Sequence, residues 1–296
     1  MRAAQVFSVV LGVFSVAQSS GADLWTAPIP LLEVNSSAEE WSPCLSNDGL
    51  TLYFARVRSP TCYYGRIWEA KRDTPLRHFT IVQEVPGELN AVRGHVVCGW
   101  VSPDNLRMYY HTEIHGIFAL QVSERCSVDA PWPAGIPIPG LEGLGLRQQM
   151  PRLTADEKTV IFDASDIAGG QGGYDLWMAT RPDLYSPFEN VTNLQELNTP
   201  YNELPGSITC DGLTIYFSSN RDGSHALFRA TRETAESPFG PPVHLSLFDM
   251  PEGFSMHPDV ANDGRALYFM AQQGSDPNTR DIWVSYAAVP GDVHPE

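Results

Sequence analysis

Ser46-Asn47-Asp48-Gly49, followed at once by Thr51-Leu52-Tyr53-Phe54, is a turn signal feeding a β-branched and aromatic run of strand length. The pair returns as Ser102-Pro103-Asp104-Asn105 before Arg107-Met108-Tyr109-Tyr110, and as Thr154-Ala155-Asp156-Glu157 before Thr159-Val160-Ile161-Phe162. It returns twice more, as Thr209-Cys210-Asp211-Gly212 before Thr214-Ile215-Tyr216-Phe217 and as Ala261-Asn262-Asp263-Gly264 before Ala266-Leu267-Tyr268-Phe269. The five aspartates are thus spaced by 56, 52, 55 and 52 residues. A period of that size marks one supersecondary unit copied five times, so the chain is an array and not a mosaic of domains.

Each copy holds four short strand signals. The aromatic run is the second, and its continuous apolarity suits a strand buried on both faces between neighbouring sheets. The third strand alternates around an aromatic, as in Arg66-Ile67-Trp68-Glu69-Ala70 and Asp175-Leu176-Trp177-Met178-Ala179. The fourth is looser: Phe79 to Val85, Ile136 to Pro139, Phe188 to Leu194 and Val243 to Leu247. Asp-Gly predicts type I′ hairpins with positive φ at both central residues. Asn105 tolerates that geometry but Glu157 does not favour it, so the third hairpin is expected to use another turn.

The fifth copy ends after Trp283 without a fourth strand, whereas Leu24 to Leu31 at the other end resembles the fourth strand of the third copy. An N-terminal strand paired into the last blade would remove the open edge between first and last repeats. The expected fold is all-β, a five-bladed β-propeller of four-stranded antiparallel blades closed in this way. The repeats run at approximately 33–85, 86–139, 140–194, 195–247 and 248–290, with 23–32 closing the last, within one domain over 23–296.

Glu40-x-x-Pro43, then Ser-x-Asp-Gly, Leu-Tyr-Phe, a Gly-rich loop at 169–173 and Asp175-Leu176-Trp177-Met178-Ala179 resemble the WD40-like PD40 repeat of TolB-type propellers. The second copy departs most, with no Glu-x-x-Pro and Asn105 in place of Gly. The resemblance covers nearly the whole chain after its first residues. It implies an exported bacterial binding or scaffolding propeller.

Met1-Arg2 followed by the apolar run Ala3 to Ala17 and small residues near Ala22 reads as a secretory signal peptide over 1–22, implying a periplasmic or secreted protein without stable membrane insertion. A formal charge of −16, from 19 basic and 35 acidic residues, argues against nucleic acid, a polyphosphate or an anionic membrane surface as the main partner. Cys44, Cys62, Cys98, Cys126 and Cys210 show no CxxC spacing, so zinc is not indicated. Repeat register would let Cys44 and Cys98 meet as a disulfide.

The innermost strands line the channel, so residues just before the repeated aspartates are where a ligand would be met. The candidate ligand-binding set is Glu40, His95, Trp100, Arg152, Glu203 and Asp259. Glu40 and Glu203 occupy equivalent positions. They are either a carboxylate pair of the kind glycoside hydrolysis uses or partners of Arg56 and Arg221, which recur at matching places. The scaffold pairing is the favoured reading. The histidines of the second copy, His95, His111 and His115, lack a metal-binding frame, and Asp163, Asp166 and Asp175 lack calcium-loop spacing, so no metal or cofactor is expected. No Gly-x-Ser-x-Gly, His-Glu-x-x-His or phosphate loop occurs. The expectation is a monomeric, non-catalytic module that contacts an envelope or extracellular protein, or a glycan, through one face and the channel mouth. The alternative is a glycan-active hydrolase or lyase that uses the channel carboxylates.

Overall fold

The computed structural model describes residues 25–59, 62–274 and 280–288; the segment read as a signal peptide lies outside them. Twenty strands form five four-stranded antiparallel sheets. Blade 1 is β2 (Glu39–Leu45), β3 (Thr51–Ser59), β4 (Cys62–Lys71) and β5 (Ile81–Glu84); blade 2 is β6 (His95–Val101), β7 (Arg107–Ile114), β8 (Ile117–Glu124) and β9 (Ile136–Pro137). Blade 3 is β10 (Gln148–Leu153), β11 (Thr159–Ala164), β12 (Asp175–Thr180) and β13 (Glu189–Asn193). Blade 4 is β14 (Glu203–Ile208), β15 (Thr214–Ser219), β16 (Ala226–Thr231) and β17 (Val243–His244). Blade 5 takes β18 (Phe254–Val260), β19 (Ala266–Gln272) and β20 (Arg280–Tyr286), and its outer strand is β1 (Ile29–Pro30). Ile29 pairs with Val284 and Pro30 with Trp283, so the ring is closed by the N-terminal strand.

The aromatic second strands are buried on both faces because each is shared between two interblade cores. Leu52 and Phe54 pack towards blade 5, while Tyr53 packs towards blade 2. Val160 and Phe162 face blade 2, and Ile161 faces blade 4. Backbone bonds to asparagine add a polar staple at three of these seams. Asn90 exchanges two hydrogen bonds with Ile67, Asn198 with Leu176, and Asn35 with Ile282 across the closure. Each asparagine amide imitates a strand partner for the third strand of the preceding blade.

The hairpins after the inner strands differ from the expected type I′ turn. Positive φ is confined to the residue after the aspartate: Gly49, Asn105, Glu157, Gly212 and Gly264. That residue donates its N–H back three positions, as Gly49 does to Ser46 at 2.8 Å, which is a type I turn followed by a left-handed residue. The aspartate Oδ1 accepts the N–H two residues on, at 2.9–3.0 Å in all five copies. Glu157 at φ 58 makes the same turn as the others, contrary to expectation. Its carboxylate is held by Arg107 Nε at 2.9 Å and Nη2 at 2.7 Å and by the Tyr109 hydroxyl at 2.7 Å, which offsets the left-handed strain.

A second repeat sits on the same face. Arg72, Arg125, Arg181 and Arg232 each donate Nε to the carbonyl of the left-handed residue, at 2.7–2.8 Å. Each also stacks on an aromatic ring: Phe79, Trp132, Phe188 and Phe239. The proposed Cys44–Cys98 pairing involves the side chain of Cys98, which lies outside those described.

Candidate functional site at the channel mouth

Every inner strand carries a β-bulge at the same height, between Trp41 and Cys44, Cys98 and Trp100, Gln149 and Arg152, Pro205 and Ser207, and Met256 and Asp259. At this level the five backbones crowd together. A Cβ on Gly99 would lie 2.4 Å from the Pro151 carbonyl oxygen, and one on Gly206 would lie 2.3 Å from that of Pro258. Three bulge residues, Ser42, Met150 and His257, take φ of 51–52°. Such bulges re-aim side chains, and here all three line a cavity on the channel axis.

That cavity, about 370 Å³, opens on the face that carries the loops between second and third strands, and all five blades contribute to it. Its walls include Trp41, Val97, Phe118, Met150, Leu204 and Met256, with Ser42, Gln149, His95, His111, His257 and Glu113 as the polar members. Ser42 Oγ lies 3.1 Å from His257 Nδ1, and the Met150 N–H donates to His111 Nδ1 at 3.2 Å. Burial depresses the pKa of both His111 and His257 to about 3, so both imidazoles are neutral. His95 is pulled down in the same direction by burial.

Below the mouth the channel is plugged. Arg152 on β10 reaches across to Asp259 on β18, Nη1 to Oδ1 at 3.3 Å, and both side chains are buried. Asp259 Oδ2 also accepts the Leu45 N–H at 2.7 Å, tying three blades together. Burial raises the Asp259 pKa to about 6 against the opposing pull of Arg152 and the Leu45 amide. Beyond the plug, at the opposite end, a space of about 20 Å³ lies beside Trp100 and Ser207.

The six residues singled out from sequence therefore fall in three places. Glu40 and Glu203 are fully buried and each closes the connector that precedes its own blade. Glu40 receives Ser36 Oγ at 2.6 Å and Arg56 Nε at 2.7 Å, while Arg56 Nη2 also bonds the Val34 carbonyl. Glu203 receives Thr199 Oγ1 at 2.6 Å, Ser219 Oγ at 2.6 Å and Arg221 Nη2 at 3.3 Å, and that arginine bonds the Leu197 carbonyl. Arg152 and Asp259 form the plug. Trp100 packs on Tyr109 at the narrow end, ring centroids 5.9 Å apart. Only His95 lines the mouth. Asp163, Asp166 and Asp175 do not gather around an ion; Asp175 accepts the Gln171 N–H at 2.6 Å, and Asp163 is wholly buried. Among the described residues no cluster of three or more His, Cys, Asp or Glu forms a metal site.

A larger groove of about 520 Å³ lies away from the axis, on the turn face between blades 5 and 1. It includes Arg72, Tyr268 and Tyr286, at the one hairpin whose blade has Ala287 where the others have the clamping arginine.

The chain matches no family model, and no curated protein matches it in sequence. Solved structures do match its fold. A thermostable family-43 glycoside hydrolase superposes with a TM-score of 0.59 at 14% identity, covering 89% of this chain and 98% of that one. The catalytic domain of a GH62 α-L-arabinofuranosidase from Coprinopsis cinerea gives 0.56 at 12% identity, covering 90% and 98%. A candidate TolB from Agrobacterium tumefaciens gives 0.50 at 13% identity, covering 86% and 85%. At these identities the likeness is one of fold. Proteins described as TolB and as glycoside hydrolases both share it, so the fold by itself does not choose between functions.

Proposed function

We propose that this protein is an exported, non-catalytic β-propeller that binds its partner, an envelope or extracellular protein or a glycan, through the loop face and the channel mouth. One observation carries the reading: the two equivalent inner-strand glutamates, Glu40 and Glu203, are each occupied by an arginine and hydroxyl donors. A glycosidase needs two carboxyl groups free to reach a sugar, and Glu40 and Glu203 have neither exposure nor spare partners. Asp259 is equally engaged, by Arg152 and a backbone amide. The PD40-like repeat and the N-terminal apolar run support the TolB-type, exported part of the reading.

The glycan-active alternative draws on the likeness to family-43 and GH62 folds. Incubation with a panel of arabinoxylan, xylan and cellulose oligosaccharides separates the two. The proposal expects no products by mass spectrometry from the wild type. Turnover that disappears in a folded Glu203→Gln variant would establish the alternative.

A further inference from the structure

We infer that the channel mouth recognises a small uncharged molecule with an apolar body and one or two hydrogen-bond acceptor oxygens, of the ketone, ester or amide type. This rests on the reading of the mouth as a binding surface and narrows it, leaving protein or glycan contacts to the loop face. A cavity of about 370 Å³ is in the range that holds a small organic ligand, roughly 300–1,000 Å³.

The donor pattern follows from tautomers that the backbone fixes. A peptide N–H can only donate, so the Met150 amide at 3.2 Å makes His111 Nδ1 an acceptor. The neutral ring then carries its proton on Nε2. The Gly65 amide does the same to His95, at 3.0 Å. His111 is 4% exposed, it lines the mouth, and its Nε2–H finds no protein partner among the described residues. That Nε2–H is reachable from the cavity, so a ligand acceptor oxygen can take its hydrogen bond. His95 Nε2 faces the Glu113 carboxylate at 4.0 Å, and Glu113 is also bonded by the Gly116 N–H at 2.6 Å.

Charge selects against the other classes. Among the described residues that line the mouth none is a lysine or arginine, and Glu113 is among them. The neighbouring Arg66 is bonded to the Gly94 and Val92 carbonyls and Arg280 to Glu39, so an anionic ligand finds no charge partner in the lining. A polyhydroxylated sugar would bring many donors and acceptors to walls made largely by Trp41, Val97, Phe118, Met150, Leu204 and Met256.

The test is isothermal titration of the whole protein at neutral pH with four probes: benzophenone, diphenylmethane, diphenylacetate and cellotetraose. Benzophenone should bind about tenfold tighter than the hydrocarbon or the carboxylate, and cellotetraose should not bind. In His111→Phe the ketone and hydrocarbon should bind alike, and Leu204→Trp, which fills the mouth, should abolish binding. The ketone-to-hydrocarbon comparison is made on the wild type, so it holds whether or not His111→Phe folds. Tighter binding of diphenylacetate or cellotetraose, or equal binding of ketone and hydrocarbon, overturns the ligand class. If that binding is still blocked by Leu204→Trp, the mouth stands as the binding surface. Binding of no probe, or binding that Leu204→Trp leaves intact, overturns both.

Discussion

Arg152 and Asp259 show at the scale of single residues how this propeller closes its axis. Both are buried and each is the other's charge partner, so removing one strands the other. Arg152→Met should cost about 3–5 kcal/mol at neutral pH, and the double variant Arg152→Met/Asp259→Leu should recover most of it, as read from urea midpoints. The Asp259 pKa is already raised, to about 6. Without Arg152 it rises further, so the single variant should lose less stability at pH 5 than at pH 7.5. The imidazoles act with the opposite sign. His111 titrates at about 3 when folded and near 6.5 when unfolded. The unfolded chain therefore takes up a proton that the folded chain refuses, and stability present above pH 6.5 is lost as pH falls towards 3. His111→Phe removes that linkage. Its stability should fall less steeply than that of the wild type between pH 6.5 and 4, by thermal unfolding across the range.

At the scale of elements, the inner-strand bulge connects scaffold to site. It brings the five inner strands close together and turns Ser42, Met150 and His257 into the mouth. Gly206→Ala places a methyl against the Pro258 carbonyl. The rigid backbone on both sides should make that change cost about 3 kcal/mol or more, whereas Gly264→Ala, with open space around it, should cost only the strain of its positive φ. Circular dichroism melts of the two variants compare them directly. Strand identities were legible in the sequence because aromatic and β-branched runs recur at one spacing. The turn type was not, since Asp-Gly also fits a type I turn in which the aspartate caps the backbone and only the next residue is left-handed. The inner-strand segments that line the mouth were legible, but of the residues singled out within and beside them only His95 lies there. A bulge is a mismatch of pairing, and no local residue pattern announces that Ser42 or His257 will face the axis. The shared proline at Pro43, Pro151 and Pro258 was the available signal.

For the whole molecule, closure joins the ends of the described chain through β1 on β20 and through Asn35 on Ile282. It was readable because the fifth copy lacks a fourth strand and the N-terminus carries one. What the ring does was less readable, because a repeated glutamate serves equally well as scaffold or as catalyst until its neighbours are placed. The central claim is that Glu40 and Glu203 are scaffold residues, each fixing the preceding connector to its own blade. The stability of Glu203→Gln, measured by urea unfolding, tests it most directly. Catalytic carboxylates are held at the expense of stability, and replacing one commonly leaves a protein as stable or more so. A scaffold carboxylate behaves in the opposite way, and Glu203→Gln should lose about 1.5–3 kcal/mol as the charge-assisted hydrogen bonds from Thr199, Ser219 and Arg221 are weakened. An unchanged or higher stability for Glu203→Gln would contradict the account.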